Sequence, residues 1–214
     1  MRKIAAVFLV ALILMGLCGC GSRGKRAEML QGTWECRKYF DGDAMLEIFV
    51  HMDLYEEEIA LLDPAGIGYV EAITFCPDMT YTIGCDAEQS VALAEQYFRD
   101  AMDAFYEHRE ELNVCYGISF GVMDRDNFNR FYADLYGVSD YEALIDMFTE
   151  SVVDPAYLEE GAEHGTYRVT GRRIYCTADG ETQSQYIPYS VEGDILTLGF
   201  YLGDVTYTRK LQYN

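Results

Sequence analysis

The spacing of apolar positions along the chain changes period twice. In "GTWECRKYF", Gly32 to Phe40, Trp34, Cys36 and Lys38 share one parity while Glu35 and Arg37 take the other, the alternation of a half-buried strand. Asp41-Gly42-Asp43 breaks that strand as a turn, and "MLEIFVHM", Met45 to Met52, predicts a second one. "DLYEEEIALLDP" predicts a short helix, with Asp53 as its N-cap and Pro64 as its stop. "GYVEAITFCPDMTYTIGC" predicts two further strands across a Cys76-Pro77-Asp78-Met79 turn.

From Asp86 onward the period lengthens. Val91, Ala94, Phe98, Ala101, Phe105 and Leu112 recur at steps of three, four and seven, which places them on one face of a long helix. "DRDNFNRFYADLYG" predicts a second helix, capped by Asp124 and stopped by Gly137. "SDYEALIDMFTES" predicts a third, with Ser139 as N-cap and Glu142 three residues on, a capping-box spacing. After residue 165 the pattern returns to period two in five short runs separated by turns that contain glycine. Tyr167/Val169, Ile174/Cys176, Ile187/Tyr189/Val191, Leu196/Leu198 and Val205/Tyr207 are the inward positions. Evenly spaced short strands with tight turns predict an antiparallel meander that closes on itself. The fold class is therefore α+β: an antiparallel barrel of about eight to nine strands, from residues 30–85 and 165–211, with an inserted block of about three helices over 86–160.

The N-terminus stands apart. Arg2 and Lys3 precede an apolar run, Ile4 to Leu17, that is short for a membrane span. It ends in Leu17-Cys18-Gly19-Cys20, which resembles the lipobox of bacterial lipoproteins. The resemblance implies a signal peptide over residues 1–19 and lipidation at Cys20. It also implies a tether over 20–29, and an extracytoplasmic protein lipid-anchored to the bacterial cell membrane, since two or more acyl chains hold stably. An ordinary secretory leader is the other reading. Lys25 and Arg26 in the tether would stay near lipid headgroups.

Charge narrows the partners. The chain has 36 acidic and 16 basic residues, a net charge of −20, and loss of Arg2 and Lys3 with the leader makes it more negative. Such a surface disfavours both nucleic acid and anionic lipid headgroups as partners. With 50% hydrophobic and 14% aromatic residues the chain is a folded domain and not an acidic disordered tail. Beyond Cys20 lie Cys36, Cys76, Cys85, Cys115 and Cys176, an odd number with no zinc-ligand spacing. Buried free thiols and one or two disulfides of unspecified pairing both fit them.

Gly32-Thr33-Trp34 near the start and the closing meander ending "TYTRK" together resemble the lipocalin-like proteins, members of the calycin barrels. The chain is similar in particular to lipocalin-like lipoproteins of anaerobic bacteria. The resemblance implies that Trp34 lies at the barrel floor and that Arg209 packs across its indole ring. The helical block has no counterpart in a plain lipocalin, and the further lipocalin motifs are absent.

Candidate chemistry is sparse. His51, His108 and His164 are the three histidines, and no nucleophile elbow, zinc-protease motif, phosphate loop or CxxC occurs. These absences predict a protein that is not an enzyme and needs no cofactor. "DRDNFN", Asp124 to Asn129, begins like a calcium loop, but Asn129 replaces its glycine and Leu135 its final glutamate, so no metal site is predicted. The barrel interior remains, with Trp34, Cys36, Phe75, Tyr81, Tyr167, Cys176, Tyr189 and Leu198 as the residues that would line a pocket. One reading is non-catalytic binding there of a small apolar or amphipathic ligand or an envelope component. The other is a filled barrel that serves as a structural or protein-interaction module, with Tyr132, Tyr136 and Tyr141 either at an interface or packed on the barrel.

Overall fold

The computed structural model describes residues 24–154, 158, 161–201 and 203–210; the leader and Cys20 lie outside the described residues. Eight strands form a closed antiparallel barrel in the order β1 to β8. They are β1 (Gly32–Tyr39), β2 (Gly68–Phe75), β3 (Thr80–Cys85), β4 (Glu163–Thr170), β5 (Arg173–Ala178), β6 (Gln185–Glu192), β7 (Ile195–Phe200) and β8 (Gly203–Arg209). Residues 24–30 form the first helix, α1. The connections after β1 and β3 carry α2 (Gly42–His51), α3 (Glu56–Ile59), α4 (Ala87–Glu107), α5 (Asn113–Tyr116), α6 (Arg125–Tyr136) and α7 (Tyr141–Val152). No helix among the described residues is long and apolar enough to cross a membrane.

The chain divides into two compact units. One comprises residues up to Cys36, Ala72–Gly84 and Ala162 onward; the other comprises Arg37–Glu71 and Cys85–Gly161. The division falls within β1 and β2 and before the last residue of β3, and β2 records it in its burial. Gly68 and Val70 are buried before the boundary, Ile73 and Phe75 after it, so the buried parity shifts by one between Val70 and Ile73.

In the barrel unit the five C-terminal strands fall where period two predicted them. Tyr167, Ile174, Cys176, Leu196, Leu198 and Tyr207 are buried in one core with Leu30, Trp34, Ile73, Phe75 and Tyr81. The meander is held in register by Tyr167↔Cys176, Ile174↔Ile187, Tyr189↔Leu198 and Leu198↔Val205. Gly165 faces Tyr81 across β3 and β4, and a Cβ there would come within 2.3 Å of the Thr177 carbonyl oxygen. Only glycine lets these strands approach so closely.

The expected strand at Met45–Met52 is helix α2. Asp41 is its N-cap, with a side-chain oxygen accepting from the amides of Asp43 and Ala44, so Asp41-Gly42-Asp43 opens a helix and is not a turn between strands. Met45, Phe49 and Met52, spaced four and three apart, are buried together in the helical core. A short apolar run reads equally well in either period, and the cap decides it. This correction leaves eight strands and moves residues 37–71 into the helical unit.

Two other caps differ from expectation. Asp140, not Ser139, caps α7 by accepting from the Ala143 amide. Tyr55, not Asp53, is the N-cap of α3, and Glu58 reaches back to accept from the Tyr55 amide at 2.8 Å. Asp124 caps α6 through the Asn127 amide.

Glu58 is also the polar centre of the helical core, with no exposed surface. Its Oε1 accepts from the hydroxyls of Tyr116 at 2.7 Å and Tyr132 at 2.5 Å. Tyr116, Phe120, Phe131 and Tyr132 pack edge to face around it. Tyr132, Tyr136 and Tyr141 thus belong to the helical unit's own core. Burial first, and the Glu58 charge next, push the Tyr116, Tyr132 and Tyr136 phenols above their ordinary value of 10.

Trp34→Ala, which empties a fully buried site, should destabilise the protein by roughly 3–5 kcal/mol in urea denaturation. For the buried tyrosines, the unfolded chain releases phenolic protons near pH 10 while the folded one retains them. Stability should therefore be intact below about pH 10 and fall as pH rises above it, which denaturation midpoints across that range would measure.

Candidate functional site

The barrel unit offers two places for a ligand: its interior and the end at which β1 begins and β8 finishes. The interior is occupied by its own side chains. Trp34, Phe75, Tyr81, Tyr167, Cys176 and Leu198 are buried against one another, and Cys36 and Tyr189 pack against them half-buried. The Phe75 and Tyr167 rings meet edge on with centroids 4.9 Å apart. All eight sequence-predicted residues are therefore brought together, but as a packed core.

The interior hydroxyls are also committed. Tyr81 donates to Glu163 Oε1 at 2.5 Å, and Tyr167 donates to the Cys76 carbonyl at 3.1 Å. Burial, then the Glu163 hydrogen bond and charge, push the Tyr81 phenol well above the usual range; burial raises Tyr167 to about 12. Neither group is left to orient a guest. The five cysteines from Cys36 to Cys176 are all free thiols. Burial first, and Glu163 second, push the Cys176 thiol up to about 11.

At the end of the barrel, helix α1 closes the core. Leu30 is fully buried, and its carbonyl accepts from Trp34 Nε1 at 2.7 Å. Arg209 faces Trp34 across the β1–β8 seam, with its Cζ 4.1 Å from the indole centroid. Its Nη1 donates to the Gln31 carbonyl at 2.6 Å and its Nη2 to the Met29 carbonyl at 2.8 Å, while Asp194 lies 3.4 Å from Nε. Gly32 has φ +114°, and a Cβ there would lie 2.9 Å from Arg209 Nη1. The glycine of Gly32-Thr33-Trp34 thus supplies both a backbone conformation and space for the guanidinium. A cation over an indole contributes about 0.5–2 kcal/mol, and this contact is structural.

Beside that closure lies an open cleft of about 300 Å³. Arg26 and Met29 of α1 form one wall, Arg172 of the β4–β5 turn another, and Tyr189, Val191 and Glu192 of β6 the rest. Of the eight interior candidates, Tyr189 alone lines it, and its phenol is raised by burial and lowered by Arg26. Among the described residues the side chains of Arg26, Arg172 and Glu192 make no ion pair, and the Tyr189 hydroxyl has no hydrogen-bond partner. The neighbouring Arg173, by contrast, lies over the Tyr186 ring at 5.1 Å. In the helical unit a recess of about 350 Å³ along α4, lined by Ala87, Glu88, Val91, Ala92 and Glu95, presents one side of a single helix and no converging donors.

Arg172 was not a sequence candidate. Its signal was two adjacent arginines at a predicted turn in a strongly acidic chain, but nothing in the sequence joins that turn to Arg26. No group of three or more histidine, cysteine, aspartate or glutamate side chains among the described residues is arranged to hold a metal ion. Comparison with models of protein families, with curated proteins and with solved structures finds no match.

The burial of Cys176 gives a direct check on interior packing. In the native protein near pH 8, iodoacetamide should leave Cys176 largely unmodified while the denatured chain reacts at every cysteine, as read by peptide mass spectrometry.

Proposed function

We propose that this protein is a lipid-anchored, extracytoplasmic lipoprotein of the lipocalin-like kind, held to the membrane through Cys20, and that it binds a ligand without catalysis. The ligand is a small amphipathic molecule or an envelope component. Its place is the cleft beside α1, not the barrel interior. The observation that carries this reading is the contrast in satisfied groups. Interior tyrosines spend their hydroxyls on Glu163 and the Cys76 carbonyl, whereas Arg26, Arg172, Glu192 and Tyr189 converge on an open cleft with their polar groups uncommitted. Polar groups that gather in a concavity without internal partners are the usual mark of a recognition site.

The closed eight-stranded barrel fits the lipocalin-like reading, and Leu17-Cys18-Gly19-Cys20 supports the anchor. The filled interior also favours a second reading, a structural or interaction module without any ligand. Native mass spectrometry of protein purified from its own host separates the two. A bound small molecule that is lost on Arg172→Ala supports the binder, and an adduct-free protein supports the module.

Cys20→Ala should move the protein from the membrane fraction to the soluble extracytoplasmic fraction if the leader is still cleaved, or leave it with an uncleaved leader if not. Acyl-chain mass retained on the variant would overturn lipidation at Cys20.

A further inference from the structure

We propose that the cleft beside α1 seats the headgroup of a membrane phospholipid that carries a phosphate and a primary ammonium, the phosphoethanolamine class. The inference rests on the anchored-binder reading and names its ligand.

Charge placement supplies the first reason. The chain has 36 acidic residues for 16 basic ones, so a surface arginine has many carboxylates available. Arg99 pairs with Glu142, Arg125 with Asp103 and Arg209 with Asp194. Arg26 and Arg172, like Arg109, Arg130, Arg168 and Arg173, make no ion pair among the described residues; Arg109, Arg168 and Arg173 lie over tyrosine rings instead, whereas Arg26 and Arg172 line the cleft together with Glu192. The cleft thus holds two guanidiniums and one carboxylate that form no ion pair with one another among the described residues. Its complement is a molecule with a doubly hydrogen-bonding anion and a separate cation. Guanidinium matches phosphate in geometry and charge, and the Tyr189 hydroxyl adds a donor. Glu192 meets the ammonium, which a purely anionic headgroup lacks.

Size and position supply the second. A volume of about 300 Å³ admits a headgroup and excludes two acyl chains, which remain in the bilayer. Met29 and Val191 offer an apolar border to the glycerol end. Arg26 follows Cys20 by six residues, a reach of at most roughly 20 Å, so acylation at Cys20 would keep the cleft among headgroups at high effective concentration. That proximity selects a membrane lipid over a free phosphate ester. The chain's overall negative charge does not oppose it, because charges more than about 8 Å away are largely screened at physiological ionic strength.

The test is calorimetric titration of the processed protein, extracted from its host in non-ionic detergent, with short-chain phosphatidylethanolamine, phosphatidylglycerol and phosphatidylcholine, and with free O-phosphoethanolamine. The expected result is saturable binding of one phosphatidylethanolamine, at least about tenfold tighter than the other three. Arg26→Gln with Arg172→Gln should weaken it by about tenfold or more. Glu192→Gln should abolish the preference for phosphatidylethanolamine over phosphatidylglycerol while leaving phosphatidylglycerol binding intact or stronger. These side chains are exposed and have no ion pairs among the described residues, so the variants should keep the parent's circular dichroism; Arg130→Gln, in the helical unit, controls for charge alone. Absence of saturable binding, equal affinity for phosphatidylcholine or phosphatidylglycerol, or an unaffected double variant would overturn the proposal. Equal affinity for free O-phosphoethanolamine would overturn the lipid source. The mass of the same preparation reports acylation at Cys20 independently. An unacylated protein that still binds as expected would remove the anchor and leave the headgroup site standing.

Discussion

The barrel depends on the seam that joins its first strand to its last. Closing a sheet removes both exposed edges, but it requires residues near Trp34 to find residues near Arg209 across almost the whole described chain. Arg209 makes that long-range contact specific. Its guanidinium lies over the indole, while the carbonyls of Met29 and Gln31 and the carboxylate of Asp194 surround its edge. Those carbonyls lie at the C-terminal end of α1, where unsatisfied backbone acceptors and the helix dipole both favour a cation. One side chain therefore closes the sheet, caps the helix and covers the tryptophan. Gly32 is fixed by the same contact, because a larger residue would collide with the guanidinium.

The helical unit solves a different problem. A carboxylate buried without a cation is costly unless its acceptor capacity is met. Glu58 meets it with a backbone amide from its own helix cap and two phenols from α5 and α6. The two phenol hydrogen bonds draw together segments distant in sequence, and the surrounding rings leave little freedom for alternative arrangements. Removing the carboxylate would take the shared acceptor from the Tyr116 and Tyr132 hydroxyls, whereas removing one phenol would under-satisfy a charge. The cluster thus specifies how α3 meets α5 and α6, beyond what apolar packing among similar aromatic rings would impose.

What could be read from the chain follows the range of the interactions involved. The meander was legible because a strand's inward parity and its glycine-containing turn are local, and Tyr167 through Tyr207 alternate without interruption. Helix α4 was legible for the same reason at its own period as far as Glu107; Leu112, expected on its face, lies beyond its end as the N-cap of α5. The strand expected at Met45–Met52 failed because a short apolar run is compatible with both periods; the deciding Asp41 cap was present but read as a turn. The expected Ser139 cap lost to Asp140 one residue later, whose carboxylate accepts the Ala143 amide. The Trp34–Arg209 pairing entered through a family resemblance, since no local pattern links those positions. Tyr189 and Arg26 were each singled out in the sequence, but not as neighbours: Arg26, Arg172 and Glu192 come from three separated segments and converge only when the barrel has closed.

A lipocalin-like barrel invites the expectation of a ligand inside, and here the packing argues against it. To admit even a small guest, the interior would have to displace side chains such as Tyr81 or Tyr167, breaking hydrogen bonds and the edge-to-face contact with Phe75. Each large buried side chain moved would forfeit on the order of 3–5 kcal/mol of packing. Domains of this kind are stable by only about 5–15 kcal/mol in total, so two such displacements would consume most of the margin. The end cleft asks for no such displacement. Its polar groups are already exposed and uncommitted, and the nearby closure by Trp34 and Arg209 holds α1 and the strand ends in place. For the proposed binding at the cleft, the filled core would act without touching a ligand, because it would give the cleft rigid walls and spare binding the entropy of ordering them.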